Sequence, residues 1–79
     1  MVEVFKTNVT DQRCADILVD QIHTCFVDYS ANFDLQDCDR ILRVKSTNGL
    51  IESSSVINIL KDWGYHAEVL PDEIILLAV

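Results

Sequence analysis

The spacing of apolar residues changes period several times within 79 residues, and this restricts the possible folds more than any single motif does. Val2 to Val9 is rich in Val, Phe and Thr and reads as a strand, although Lys6 and Asn8 blur its alternation. From Cys14 to Phe26, apolar residues fall at Ala15, Leu18, Ile22 and Cys25 or Phe26. That spacing of three and four lays one stripe along an α-helix and leaves Asp16, Asp20 and Gln21 to water. Ala31, Phe33 and Leu35 then alternate with Asn32 and Asp34, the period-two pattern of a half-buried strand.

"QDCD" follows as a turn whose side chains bond their own backbone, and residues 40–46, with Leu42 and Val44 between Arg43 and Lys45, should return antiparallel. "STNG" closes that strand. Ser53 to Ser55 offer oxygens for the free N–H groups of a second helix, on which Val56, Ile59, Leu60 and Trp63 form the apolar stripe. Gly64 ends it in the left-handed position, and Tyr65, Ala67 and Val69 alternate with His66 and Glu68 as a fourth strand.

The order is βαββαβ. Two right-handed βαβ units joined by a hairpin give an α+β, ferredoxin-like two-layer sandwich, an antiparallel sheet with both helices on one face. Residues 1–79 are expected to form one domain, since a chain this short buries only about 60% of its unfolded surface. Pro71 and Asp72 signal a turn before an apolar extension over residues 71–79. This extension is expected as a fifth strand hairpinned onto the fourth, with pairing to another copy as the alternative.

Composition bears mainly on partners. Thirteen acidic residues against six basic ones give a net charge of −7, which disfavours phosphate backbones and anionic lipid. A cation or a basic protein partner fits better. "MVEVFKTNV" lacks the basic start and apolar run of a secretion signal, and no segment approaches the roughly 20 apolar residues of a membrane span. A cytoplasmic location follows as the expectation. Cys14, Cys25 and Cys38 are then expected as free thiols.

Three stretches carry a family resemblance: the strand-to-helix junction "VTDQRC", the hairpin "ANFDLQDCDRILRV", and "VINILKDWGYHAEV", an apolar helix running into Gly-Tyr and a last strand. Together they make residues 2–70 resemble a heavy-metal-associated domain, the module of cytosolic copper chaperones and of the metal-binding tails of P-type ATPases. The resemblance implies a Cys-x-x-Cys metal site at the first loop, preceded by glycine and methionine. In this chain Asn8 stands at the glycine, Val9 at the methionine, Asp11 at the first cysteine and Cys14 at the second.

One thiolate of two is thus present. Cu(I) prefers soft sulfur ligands, so a carboxylate in place of a thiolate weakens such a site sharply. Cys25 lies too far along the helix to substitute, about 16 Å from Cys14 at 1.5 Å per residue. Cys38 belongs to the hairpin turn, which is expected away from the first loop.

Each candidate also has a plainer reading. Asp11 is expected as a helix N-cap, with a hard metal ligand beside Cys14 as the alternative. Cys14 is either a half-buried packing residue or a thiolate favoured by the helix N-terminus and Arg13. His66 is expected as a solvated strand residue, with a third ligand role as the alternative. Tyr65 and Cys25 are expected in packing, and His23 as solvated.

An RNA-recognition module would need aromatics and positive charge where "RILRVKS" offers no aromatic, so nucleic acid is not expected as a partner. "NVTDQR" is not a Gly-rich phosphate loop, and no nucleophile-base set is visible, so an enzyme is not expected. The leading expectation is a small binding or adaptor domain with a degraded metal site, working through its acidic surface or an open sheet edge. The first alternative is weak Cu(I) or Zn(II) binding through Cys14, Asp11 and His66, completed by Cys14 of a second copy in a homodimer. The second is a small-molecule-sensing regulatory domain.

Overall fold

A computed structural model describes residues 1–70 of the chain. Along it run β1 (Val2–Thr7), α1 (Gln12–Cys25), β2 (Tyr29–Asp34), β3 (Ile41–Ser46), α2 (Ser53–Asp62) and β4 (Ala67–Val69). The strands lie in the order β2-β3-β1-β4, every neighbouring pair antiparallel. Each βαβ unit therefore leaves a gap between its two strands that a strand of the other unit fills. This is the ferredoxin-like α+β sandwich expected from the pattern. The fifth strand expected over residues 71–79 lies outside the described residues.

One sheet face and the two helices enclose the core. Phe5, Ala31, Leu42, Val44 and Ala67 meet Ala15, Leu18 and Ile22 of α1 and Val56 and Leu60 of α2. The opposite sheet face carries Lys6, Arg43 and Lys45, all exposed, as strand alternation requires. Val9 is fully buried although it lies beyond β1.

Element ends depart from the expected ones for identifiable reasons. β1 stops at Thr7 rather than Val9, because Asn8 turns to exchange hydrogen bonds with His66. α1 begins at Gln12, two residues before Cys14, because Asp11 caps it in an extended conformation (φ −105°, ψ 126°). Glu52, not one of the serines, is the N-cap of α2. The Ser55 hydroxyl donates to Glu52 Oε1 and that of Ser53 to Glu3. Trp63 is not part of the apolar stripe: it closes α2 with 49% of its surface exposed. Cys25, expected in the core, is exposed at the last turn of α1.

Gly64 takes φ +86°, where a side chain would be strained, and lets the Tyr65 N–H reach back to the Leu60 carbonyl at 2.9 Å. With the N–H groups of Tyr65 and His66 so occupied, β4 starts only at Ala67.

The contrast between Leu60 and Trp63 is measurable. Leu60→Ala empties a fully buried position and should lower unfolding free energy by about 2–5 kcal/mol in a denaturant titration. Trp63→Ala should cost well under half as much, and equal losses would place Trp63 in the core after all.

Candidate functional site

Two regions gather functional side chains: the end of the sheet where the first loop lies, and the flank between α1 and β2. At the first, Thr7 is the organiser. Its hydroxyl donates to the Arg40 carbonyl at 2.6 Å and accepts the Val9 N–H at 3.2 Å, while its own N–H donates to the Asp39 carbonyl at 3.2 Å. Lys6 Nζ lies 3.8 Å from Asp39 Oδ1. The hairpin turn containing Cys38 thus stands at the same end of the sheet as the first loop, contrary to the expectation that it lies away from it. The topology requires this. β1 and β2 run in the same direction on either side of β3, so the segments that follow them emerge at one end.

Asp11 has the expected capping role: Oδ1 accepts the Arg13 N–H at 2.8 Å. Cys14 is half-buried in the first turn of α1 and packs against the core cluster with Tyr65. The Tyr65 hydroxyl keeps its proton to higher pH than an ordinary phenol. Its interaction with the Cys14 sulfur is the main cause, followed by partial desolvation and then the negative charges of a Cys14 thiolate and of Asp11. His66 is held by its backbone, whose N–H donates to Asn8 Oδ1 at 2.8 Å, while its exposed ring lies 3.4 Å from Glu68 Oε1.

Asp11 is thus engaged with the helix and the His66 ring with Glu68, and Cys14 supplies the one sulfur among these three. That is not the donor set of a two-sulfur Cu(I) site. Among the described residues, the group whose ligand atoms converge, all within 4.8 Å of one another, is instead Asp37, Cys38 and Asp39. Both carboxylates there are already engaged, one within the turn and one with β1. Asp37 Oδ1 accepts the Asp39 N–H at 2.9 Å, and Asp39 faces Lys6. Arg40 closes the turn at φ +49°, with its guanidinium donating to the Leu35 carbonyl.

The second region is a groove of about 350 Å³ between α1 and the outer side of β2, lined by polar Gln12, Asp16, Asp20 and Asn32 and by apolar groups including Val19 and Phe33. Gln12, Asp16 and Asp20 stand four residues apart on one helix face, and His23 continues the row. Gln12 Nε2 donates to Asp16 Oδ1 at 3.0 Å.

Among the described residues β2 pairs on one side only, with β3. Its outward N–H groups alternate in their fate. That of Tyr29 donates to the Phe26 carbonyl at 3.0 Å, and that of Ala31 to His23 Nε2 at 3.1 Å. By the same alternation the N–H of Phe33 points outward, and no described group takes it. His23 is therefore not a merely solvated residue: it binds the sheet edge. No signal in the sequence pairs it with Ala31, since the two belong to different elements.

No family model, curated protein or solved structure matches the chain. Among the described residues no helix is long and apolar enough to cross a membrane.

The Tyr65–Cys14 contact makes a titration prediction. Replacing Cys14 by alanine removes the main cause that holds the phenol proton, so Tyr65 should ionise at lower pH, nearer the ordinary value of 10.0. Absorbance at 295 nm in a Tyr29→Phe background would report it. An unmoved curve would mean that Cys14 does not touch the hydroxyl.

Proposed function

We propose that this chain is a small binding domain that acts by protein contact, and that its partner lays an extended, basic segment along the outer edge of β2. The observation that carries this reading is the coincidence, among the described residues, of a strand edge with no partner strand and an acid-walled groove. Strand addition supplies main-chain hydrogen bonds and lets alternate side chains enter flanking pockets. Here the edge offers the Phe33 N–H, and the groove offers Asp16 and Asp20 to lysine or arginine side chains. The separation of charge also favours a basic partner at this place, because Lys6, Arg43 and Lys45 lie on the opposite sheet face, away from the helices. The resemblance to the heavy-metal-associated family is consistent with a contact module, and in this reading the first loop serves the fold.

A test uses an alternating lysine-valine peptide and its glutamate-valine counterpart, titrated into isotopically labelled protein. The lysine peptide should move the amide signals of Gln12, Asp16, Asn32 and Phe33. Asp16→Asn with Asp20→Asn should weaken binding by about tenfold at low salt, the scale of two exposed charge pairs, whereas Lys45→Ala should not weaken it. Shifts confined to other surfaces, or equal binding of the acidic peptide, would refute the reading.

A second reading, weak Cu(I) or Zn(II) binding, has one observation in its favour: the turn bearing Cys38 shares an end of the sheet with the loop preceding Cys14. Native mass spectrometry of the reduced protein with each metal would separate the cases. Loss of the metal in Cys14→Ser alone points to the first loop, with a second copy completing the site if the metal appears only in dimers. Loss in both Cys14→Ser and Cys38→Ser points to a two-thiol site at this end. Absence of stoichiometric metal in the unmodified protein removes the reading.

A further inference from the structure

The bond between Ala31 and His23 has a consequence for the strand edge that bears it. A backbone N–H can only donate, so the Nε2 that meets it must carry a lone pair, and the imidazole is neutral with its proton on Nδ1. The ring therefore occupies the acceptor position that a carbonyl of an added strand would take. Tyr29 is covered separately by Phe26, so among the outward N–H groups of Tyr29, Ala31 and Phe33, Ala31 is the one closed by a group that can change its protonation.

We propose that His23 is a proton-operated latch on the β2 edge: the neutral ring closes Ala31, and the imidazolium, which has no acceptor, releases it to an incoming strand. The inference rests on the reading of this edge as the docking site and names how that site is regulated. Protonation places one N–H against another, which breaks the bond and so frees an edge whose pairing would otherwise stop at Phe33. His23 is exposed, so its ring can swing into water without opening the core. Imidazole is the side chain whose ordinary charge change falls between pH 5 and 8, which makes the latch responsive to mild acidification.

The titratable and charged groups of the elements that meet here are Arg13, Cys14, Asp16, Asp20 and Cys25 on α1, Asp28 in the connection, Tyr29 and Asp34 on β2, and Arg43 and Lys45 on β3. α2, which also packs on α1, contributes Lys61 and Asp62. None of these groups is the acceptor for the Ala31 N–H, so the direction of the effect rests on the His23 ring alone.

The experiment is a pH series on the full chain by nuclear magnetic resonance, following the His23 ring and the Ala31 amide together. The Ala31 shift should trace the His23 titration curve. After correction for intrinsic rates, its amide should exchange about fivefold faster on the acid side, the factor one ordinary hydrogen bond is worth. His23→Gln, which keeps an acceptor that does not titrate, should flatten both responses, and His23→Ala should give the fast exchange at every pH. An Ala31 signal that ignores the His23 titration, or is unchanged in His23→Ala, would overturn the latch.

The lysine-valine peptide is titrated separately at pH 5.5 and 7.5, with tighter binding expected at pH 5.5. If Ala31 follows His23 and no peptide binds, the docking reading fails while the latch stands. If the peptide binds equally at both pH values and Ala31 is indifferent to His23, the latch fails and the docking reading stands.

Discussion

The arrangement depends most on one buried hydroxyl. Thr7 closes β1, and its side chain is both donor to Arg40 and acceptor for Val9 while its backbone holds Asp39. Asn8, the next residue, is tied to His66 in both directions. Three segments distant in sequence, the first loop, the hairpin turn and the start of β4, are thereby fastened within two residues. A buried hydroxyl with both functions satisfied stabilises modestly, but leaving its partners unpaired would cost about 1–3 kcal/mol each. The late start of β4 follows from this junction, which also ties the turn bearing Cys38 to the end of β1.

The sandwich also sorts charge. Its helical layer presents Asp16 and Asp20 beside the β2 edge, and its open sheet face presents Lys6, Arg43 and Lys45 together with Asp34 and Glu68. The net charge of −7 is thus an average over two unlike faces. Long-range attraction still favours cationic partners, while orientation is decided locally by which face they meet. An edge strand beside an acidic wall is a place where both effects act together. Unpaired edges invite aggregation, and the chain covers this one partly, with the Phe26 carbonyl and the His23 ring.

Local signals were the legible ones. The apolar periods located all six described elements to within a few residues, because burial of one face is a property that short segments already encode. Asp11 as a cap was legible for the same reason, its partner being two residues away. The serines that open α2 were misleading as cap candidates, since the hydroxyls of Ser55 and Ser53 found Glu52 and Glu3 instead. Trp63 and Cys25 kept the helical spacing but fell at helix ends, where the stripe no longer meets the sheet.

What the sequence by itself determined is the order of elements, the fold that this order allows, and Asp11 as the cap of the first helix. What only the tertiary structure decided is which distant residues meet: Thr7 with Arg40, Tyr65 with Cys14, and His23 with Ala31. Periodicity reports how a segment sits against a core but carries no address for its neighbours. Those addresses come from the parallel course of β1 and β2, which sets Cys38 beside the first loop, and from the packing of α1 on β2, which turns an exposed histidine toward a strand edge.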